Sequence, residues 1–402
     1  MRGKVLSALI GISAAVTVGV KAADWPQWRG PERNGISSEQ GWLKEGSLPR
    51  TVWEADVGAG YSSVAVKGGK LYTMGNHGGS DAVLCLDSAK GTELWKKTYP
   101  CGGGGYPGPR ATPTVDGKAV FTLSREGQLL CLDADTGAVT WQRELKSDMG
   151  ADVPQWGFAS SPLVFGTAVI VNVGSHGLAV DKQTGKTLWE SGKSGASYAA
   201  IIPMDRNGKP ALLVFSAMGL VSVDAATGAK QWDFPWKTSY DVNAPDPVAW
   251  GDKVLITSGY GRGSALLQVG TGAPKALWET KTLASHFASP VLWKDWIYGV
   301  TGNTGGGQVC CVDPANGQAK WTHKEAGFCA LSLADGKLVL LNEKGTLLVA
   351  DAVPDGYHER FSAKVLDGTC WTAPTVSGGL VYVRNDKGHL LALDLTGKPA
   401  TP

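Results

Sequence analysis

Cys310 and Cys311 stand side by side, and a vicinal thiol pair is the one feature of this chain whose spacing alone suggests redox chemistry. Their context argues for packing. Cys311 opens "CVDPANGQAKW", and Cys85 and Cys131 fill the same slot in "CLDSAKGTELW" and "CLDADTGAVTW". Neighbours in a strand point to opposite faces, so small buried residues account for all of these cysteines. The chain has seven cysteines, an odd number, so at least one is unpaired within the chain. Cys329 and Cys370 precede the first strands of adjacent repeats, and an exported chain allows them either a disulfide or two free thiols. The six histidines show no H-E-x-x-H spacing, and no Cys/His cluster has the spacing of a zinc site. Neither a G-x-S-x-G elbow nor a phosphate-binding loop is present. The glycine runs "CGGGGYPGP" and "TGGG" lie between strands rather than ahead of helices. Catalytic residues are therefore left unknown and metal ligands unassigned.

What must position any such site is a repeat. The slot just named recurs as "AVDKQTGKTLW" and "SVDAATGAKQW", then in a degenerate copy read as "QVGTGAPKALW", Gln268 to Trp278. Trp95, Trp141, Trp189, Trp232, Trp278 and Trp321 follow at intervals of 46, 48, 43, 46 and 43 residues. Two weaker copies, "VADAVPDGYHERF" and "ALDLTG", bring the turns to eight. In each copy an apolar strand ends in Asp, a Thr-Gly or Asn-Gly turn reverses the chain, and a strand carrying Trp follows. Two more strands precede each copy, so the unit is four antiparallel strands in roughly 40–50 residues, the period of a propeller blade. The last copy lacks its Trp strand, while "RTVWEADV" (Arg50 to Val57) is an orphan strand with Trp53. The expectation is an all-β, eight-bladed propeller over 50–402, its ring closed by that N-terminal strand. An arm over 24–49 precedes it.

Composition agrees and narrows the class. The 55 glycines are nearly twice the usual share of about 7%. Arg2 and Lys4 lead an apolar run, Val5 to Val20, with small residues at Ala22 and Ala23, which reads as a cleaved signal peptide over 1–23. The run is short of the about 20 residues that a membrane span needs. Removing 1–23 deletes Arg2, Lys4 and Lys21, taking the formal charge from +2 to −1. A nearly neutral chain offers no electrostatic case for nucleic acid. No cysteine precedes Cys85, so the expectation is a periplasmic or secreted protein with no transmembrane segment and no lipid anchor.

The Ala/Cys-x-Asp-x-x-Thr-Gly-x-x-x-Trp pattern resembles the tryptophan-docking repeat of the quinoprotein, or PQQ-like, β-propellers, over nearly the whole chain beyond 1–23. "DWPQWRGPERNG" (Asp24 to Gly35) looks like the opening of exported bacterial proteins of that kind. The resemblance implies one of two roles: a quinone-dependent dehydrogenase holding PQQ and Ca2+, or a BamB-type scaffold without a cofactor. Those dehydrogenases carry a disulfide between adjacent cysteines near the quinone, but Cys311 sits in an ordinary repeat slot. Their calcium ligands and catalytic Asp cannot be matched here.

Aligning the blades on "ATP", "SSP", "ASP" and "TAP" puts Tyr61, Arg110, Phe158, Tyr198, Asn243, His286, Phe287, Phe328 and Trp371 around one mouth of the channel. A second set of loops adds His77, Arg125, His176, Arg262, Asn303 and Arg384. Arg110, Tyr198, His286, Phe287, Trp371 and Arg262 are the candidate cofactor-binding residues, in a rim suited to a planar anionic quinone, a sugar or a peptide. "WPQW" (Trp25 to Trp28) and "VPQWGF" offer either aromatic platforms or buried loop anchors, with packing favoured because large aromatics pack well. The function expected is a binding or scaffold module for a protein or extracellular ligand, with a PQQ-dependent oxidoreductase as the alternative.

Overall fold

The structure, a computed structural model, describes residues 23–102, 104–206, 208–270 and 272–397. All but the last residue of the expected signal segment lie outside them. Eight four-stranded antiparallel blades follow one another along the chain, seven of them in simple sequential strand order. From inner to outer strand, blade 1 runs from Ala65–Lys67 to Glu93–Pro100 and blade 2 from Thr114–Asp116 to Val139–Glu144. Blade 3 runs from Leu163–Phe165 to Thr187–Glu190, and blade 4 from Ile202–Arg206 to Lys230–Pro235. Blade 5 spans Val248–Trp250 to Lys275–Thr280, blade 6 Val291–Trp293 to Ala319–His323, and blade 7 Cys329–Ala334 to Glu359–Lys364. Blade 8 begins at Thr375–Ser377 and ends in His389–Asp394, whose outer neighbour is Arg50–Asp56 from the other end of the chain.

That closure is the one expected. Arg50 pairs with Asp394 and Asp56 with His389. Arg384, 1% exposed, staples blade 8 to blade 1 by donating to the carbonyls of Ser62, Met74 and Gly58 at 2.8–2.9 Å. Closure leaves no first or last blade with an open edge.

The core is not central but lies between blades. Strands two and three of each blade are buried on both faces, and each pair of neighbours shares one apolar cluster. The layer between blades 5 and 6 is the thinnest. Among the described residues it holds six buried apolar residues, Leu255, Leu266, Leu283, Ile297, Cys310 and Val312, with Val248, Trp250, Trp278 and Leu292 partly buried beside them, against eleven to fifteen buried in the other layers. Outer strands bury mainly the docking tryptophan: in Glu93–Pro100 Trp95 alone is fully buried.

The turn motif now has a physical account. Asp133 Oδ1 accepts from the Asp135 and Thr136 amides and the Thr136 hydroxyl at 2.8–3.0 Å, which also lowers its pKa. The turn then presents Gly137, at φ 72°, flat against Trp95 of the previous blade. A Cβ there would lie 2.6 Å from the indole. The ring edge meanwhile donates from Trp95 Nε1 to the Ala134 carbonyl at 3.0 Å. Trp53, Trp141, Trp189, Trp278 and Trp321 make the same bond to Ser88, Lys182, Ala225, Pro314 and Val353. Thus in six of the eight blades the turn is the receptor for its neighbour's tryptophan.

One copy departs from the sequence reading. Leu266, not Gln268, pairs with Trp278, so the blade 5 turn is two residues longer than the other copies suggest. Gln268 fills the Asp position, and no Asx turn shapes the acceptor. Trp232 of blade 4, facing that turn, is buried with its Nε1–H unpartnered.

Candidate functional site

The arm threads the ring. Trp25 exchanges backbone bonds with Val66 of blade 1, the Pro26 carbonyl accepts from Val115 of blade 2, and Ile36–Ser37 adds a parallel strand to blade 7. Between them Arg29 and Arg33, 5% and 3% exposed, reach into the channel at positive φ, 61° and 51°. Arg33 donates to the Ser161 and Pro162 carbonyls of blade 3, and Arg29 to those of Ser289 and Pro290 of blade 6, at 2.6–3.0 Å. Backbone held left-handed in two non-glycine residues costs free energy, which these bonds offset. Asp246 supplies the counter-charge. Its Oδ2 accepts from Trp28 Nε1 at 2.6 Å and lies 3.6 Å from Arg29 Nε, and its Oδ1 accepts from the Ala200 amide at 2.8 Å. Burial pushes the Asp246 carboxyl up and the Arg29 guanidinium down, and the attraction between the two opposes both shifts. Burial also lowers Arg33, to about 10.

Above this plug the channel opens into a cavity of about 360 Å³. Its walls are mostly rings: Trp28 from the arm with Tyr61, Tyr106, Trp156, Tyr198, Tyr260, Phe287 and Trp371 from the loops. They brace one another. Tyr61 stacks on Trp371 at 5.6 Å, Tyr106 leans on both Trp156 and Trp371, and Phe287 meets Trp371 at 5.6 Å. His286 accepts or donates at Nε2 to the Tyr260 hydroxyl, 3.0 Å away, while its buried Nδ1 has no partner. Burial brings its pKa down to about 4, so it is neutral at physiological pH. Trp371 Nε1 is likewise buried and unpartnered. Arg110 lies 5.5 Å from the Tyr61 ring centre and donates to the Gly108 and Tyr106 carbonyls. Its pKa falls to about 10, by burial first and by Arg125 second, which leaves it a cation.

Five of the six candidate contacts, Arg110, Tyr198, His286, Phe287 and Trp371, thus line one cavity. Arg262 does not. Its guanidinium lies 3.2 Å from the Trp236 ring centre, with Glu279 3.3 Å away. Phe158, Phe328 and Asn243 are fully buried behind the wall, and Arg384 is the staple between blades. The packing reading of the Pro-Gln-Trp segments holds for Trp25 only, since Trp28 and Trp156 both face the cavity. Sequence reasoning also missed Tyr106, Tyr260 and Asp246. Tyr106 sits in a glycine loop that carries no repeat signal, and Asp246 looks like an ordinary turn residue.

The cysteines sit in the interior. All seven are free and buried. Cys310 packs into the layer between blades 5 and 6 and Cys311 into the next, so the two thiols face away from each other. Burial raises them to about 12 and about 11. Cys329 and Cys370 are two thiols rather than a bridge. Among the described residues no group of three or more His, Cys, Asp or Glu side chains is placed to hold a metal ion. No described helix is long and apolar enough to cross a membrane.

Comparisons with known proteins follow the fold. A family model described as outer membrane protein assembly factor BamB matches residues 106–323, more than half of the chain. BamB of Yersinia pestis is 23% identical over 320 residues, 74% of this chain and 77% of that protein. The structure of BamB from Moraxella catarrhalis superposes with a TM-score of 0.66 at 18% identity, covering 88% of this chain and 100% of the other. Quinohemoprotein alcohol dehydrogenase from Comamonas testosteroni gives 0.71 at 13% identity, covering 94% and 81%.

Proposed function

The chain belongs to the PQQ-like repeat family described as outer membrane protein assembly factor BamB, and on that premise we propose that it is a binding module of the cell envelope. It works in the periplasm or outside the cell, and its loop-bearing mouth holds a protein partner. One observation carries this reading: a single ring-walled cavity, floored by the protein's own arm, opens where loops from seven blades converge. Concave apolar sites with a few polar groups are where proteins take ligands. A rigid ring presents such loops with little entropy to lose on binding. The test is photocrosslinking from Tyr106 and Tyr240, both exposed near the mouth, against Leu48 on the arm side. A defined product from the mouth positions, lost in Trp371→Ala, supports the reading. Equal products from all three positions sink it.

A second reading, a PQQ-dependent oxidoreductase, is favoured by the position of the cavity and the fold shared with the Comamonas enzyme. Its quinone would rest on the aromatic walls. A calcium ion fits poorly, because both oxygens of Asp246, the carboxylate lining the cavity, are already taken by Ala200, Trp28 and Arg29. Dye reduction with an alcohol or sugar after loading with PQQ and Ca2+ tests it, and turnover abolished by Arg110→Met would establish it.

A further inference from the structure

Independently of what the mouth binds, we infer that the chain is cut between Ala22 and Ala23, and that Glu39 is the receptor for the α-ammonium the cut creates. Glu39 lies on the arm and is only 5% exposed. Its Oε1 accepts from the Ala23 backbone nitrogen and from the Gly378 amide, both at 2.7 Å. Among the described residues no Lys, Arg or His side chain lies within ion-pair distance of it. A buried carboxylate without a cation is costly, and two neutral N–H groups bring no charge.

Hydrolysis supplies that charge. A leader peptidase adds one water across the Ala22–Ala23 peptide bond, leaving a carboxylate on Ala22 and a protonated amine on Ala23. One neutral N–H becomes three donors and a positive charge, on a nitrogen already 2.7 Å from Glu39 Oε1. The neighbouring atoms hold this geometry. The Ala23 carbonyl accepts from the Ser377 hydroxyl at 2.6 Å, and the Ser37 hydroxyl donates to the Val376 carbonyl at 2.7 Å. Ala23 and Glu39, sixteen residues apart, are therefore pinned together where blade 8 leaves its inner strand, Thr375–Ser377. The loop between them carries Trp28, Arg29 and Arg33 into the channel. Processing thus fastens the base of the plug.

The residues around the bond agree. Signal peptides end in short, uncharged residues next to the cut and two positions before it. A cut after Ala22 places Ala22 and Val20 there, whereas a cut after Ala23 would place Lys21 in the second position. The boundary falls one residue earlier than the segment 1–23 read from the sequence, and that one residue brings the charge. A chain starting at Asp24 would leave Glu39 without it. Asp24 itself is held elsewhere, its Oδ1 accepting from the Gly68 amide at 3.1 Å.

The experiment is export of the full chain from a bacterial host, followed by intact mass and N-terminal sequencing of the released protein. The expected product starts at Ala23. A start at Asp24 or beyond, or a product still carrying residues 1–22, overturns the inference. The receptor is tested by labelling the α-amine at pH 7 with an N-hydroxysuccinimide ester, read by peptide mass spectrometry. An ammonium paired with a carboxylate gives up its proton reluctantly, so labelling should be at least about tenfold slower than in Glu39→Gln. Equal rates overturn the receptor role. Should Glu39→Gln fail to fold, a form with Gly inserted between Ala22 and Ala23 moves the amine one residue away from an intact Glu39. It should label at least about tenfold faster than the natural start, and an unchanged rate overturns the role as well. None of these readouts involves the mouth, so the binding role stands or falls separately.

Discussion

The indole N–H of Trp232 has no acceptor, and this separates it from six tryptophans in the same repeat slot. Replacing Trp141 by Phe deletes a hydrogen bond worth about 1 kcal/mol net. Trp232→Phe gives up similar indole packing but no hydrogen bond, so it should cost about 1 kcal/mol less than Trp141→Phe. Urea denaturation of both variants reads the difference directly. Gly137 makes a complementary case, with φ 72° and an indole 2.6 Å from where a Cβ would be. Gly137→Ala should cost about 1–3 kcal/mol, whereas Gly117→Ala, at φ 57° but with no atom within 4 Å, should cost less. His286 sets a pH dependence. Its pKa falls from an unfolded value of 6.5 to about 4 in the fold, so the unfolded chain binds the proton more tightly. Its contribution is intact above pH 6.5 and is lost as pH falls towards 4. His286→Phe should therefore narrow the gap between melting temperatures measured at about pH 7 and about pH 4.5.

The arm shows where an element could and could not be read from sequence. Blades were legible because each repeats a turn and a docking ring whose physics is local. The arm repeats nothing, and Arg29 and Arg33 resemble solvated charges until the channel buries them. The mouth lies between these cases. Residues placed by repeat alignment, such as Arg110 and Trp371, fall in the cavity, while Trp28 and Tyr106 reach it through irregular backbone that no periodicity announces. Breaking the buried pair is expected to be severe. Arg29→Met strands Asp246 and should cost about 3–5 kcal/mol, most of it recovered in Arg29→Met/Asp246→Asn. Thermal melts of the two variants test this. A further mark of arm displacement would be a change in emission from Trp28 as its bond to Asp246 is lost.

Across the ring, cohesion is uneven. The layer between blades 5 and 6 is thin, and blade 5 also bears the turn that offers Trp232 no acceptor. Local opening begins where few apolar contacts hold, so this joint should part first. Cys310 lies in it, with a thiol raised to about 12 and therefore inert while the joint stays shut. In mild urea, mapped iodoacetamide labelling should reach Cys310 before Cys85 or Cys131, which lie in thicker layers. Simultaneous labelling of all three would mean that the ring yields only as a whole.

The pairing of Arg50–Asp56 with His389–Asp394 also has a consequence in time. The first strand of the propeller to be synthesised finds its partner only when nearly the whole chain has been made. Until these two distant segments meet, the blades form an open arc with two raw ends, so sealing the ring waits on a contact that spans nearly the whole chain.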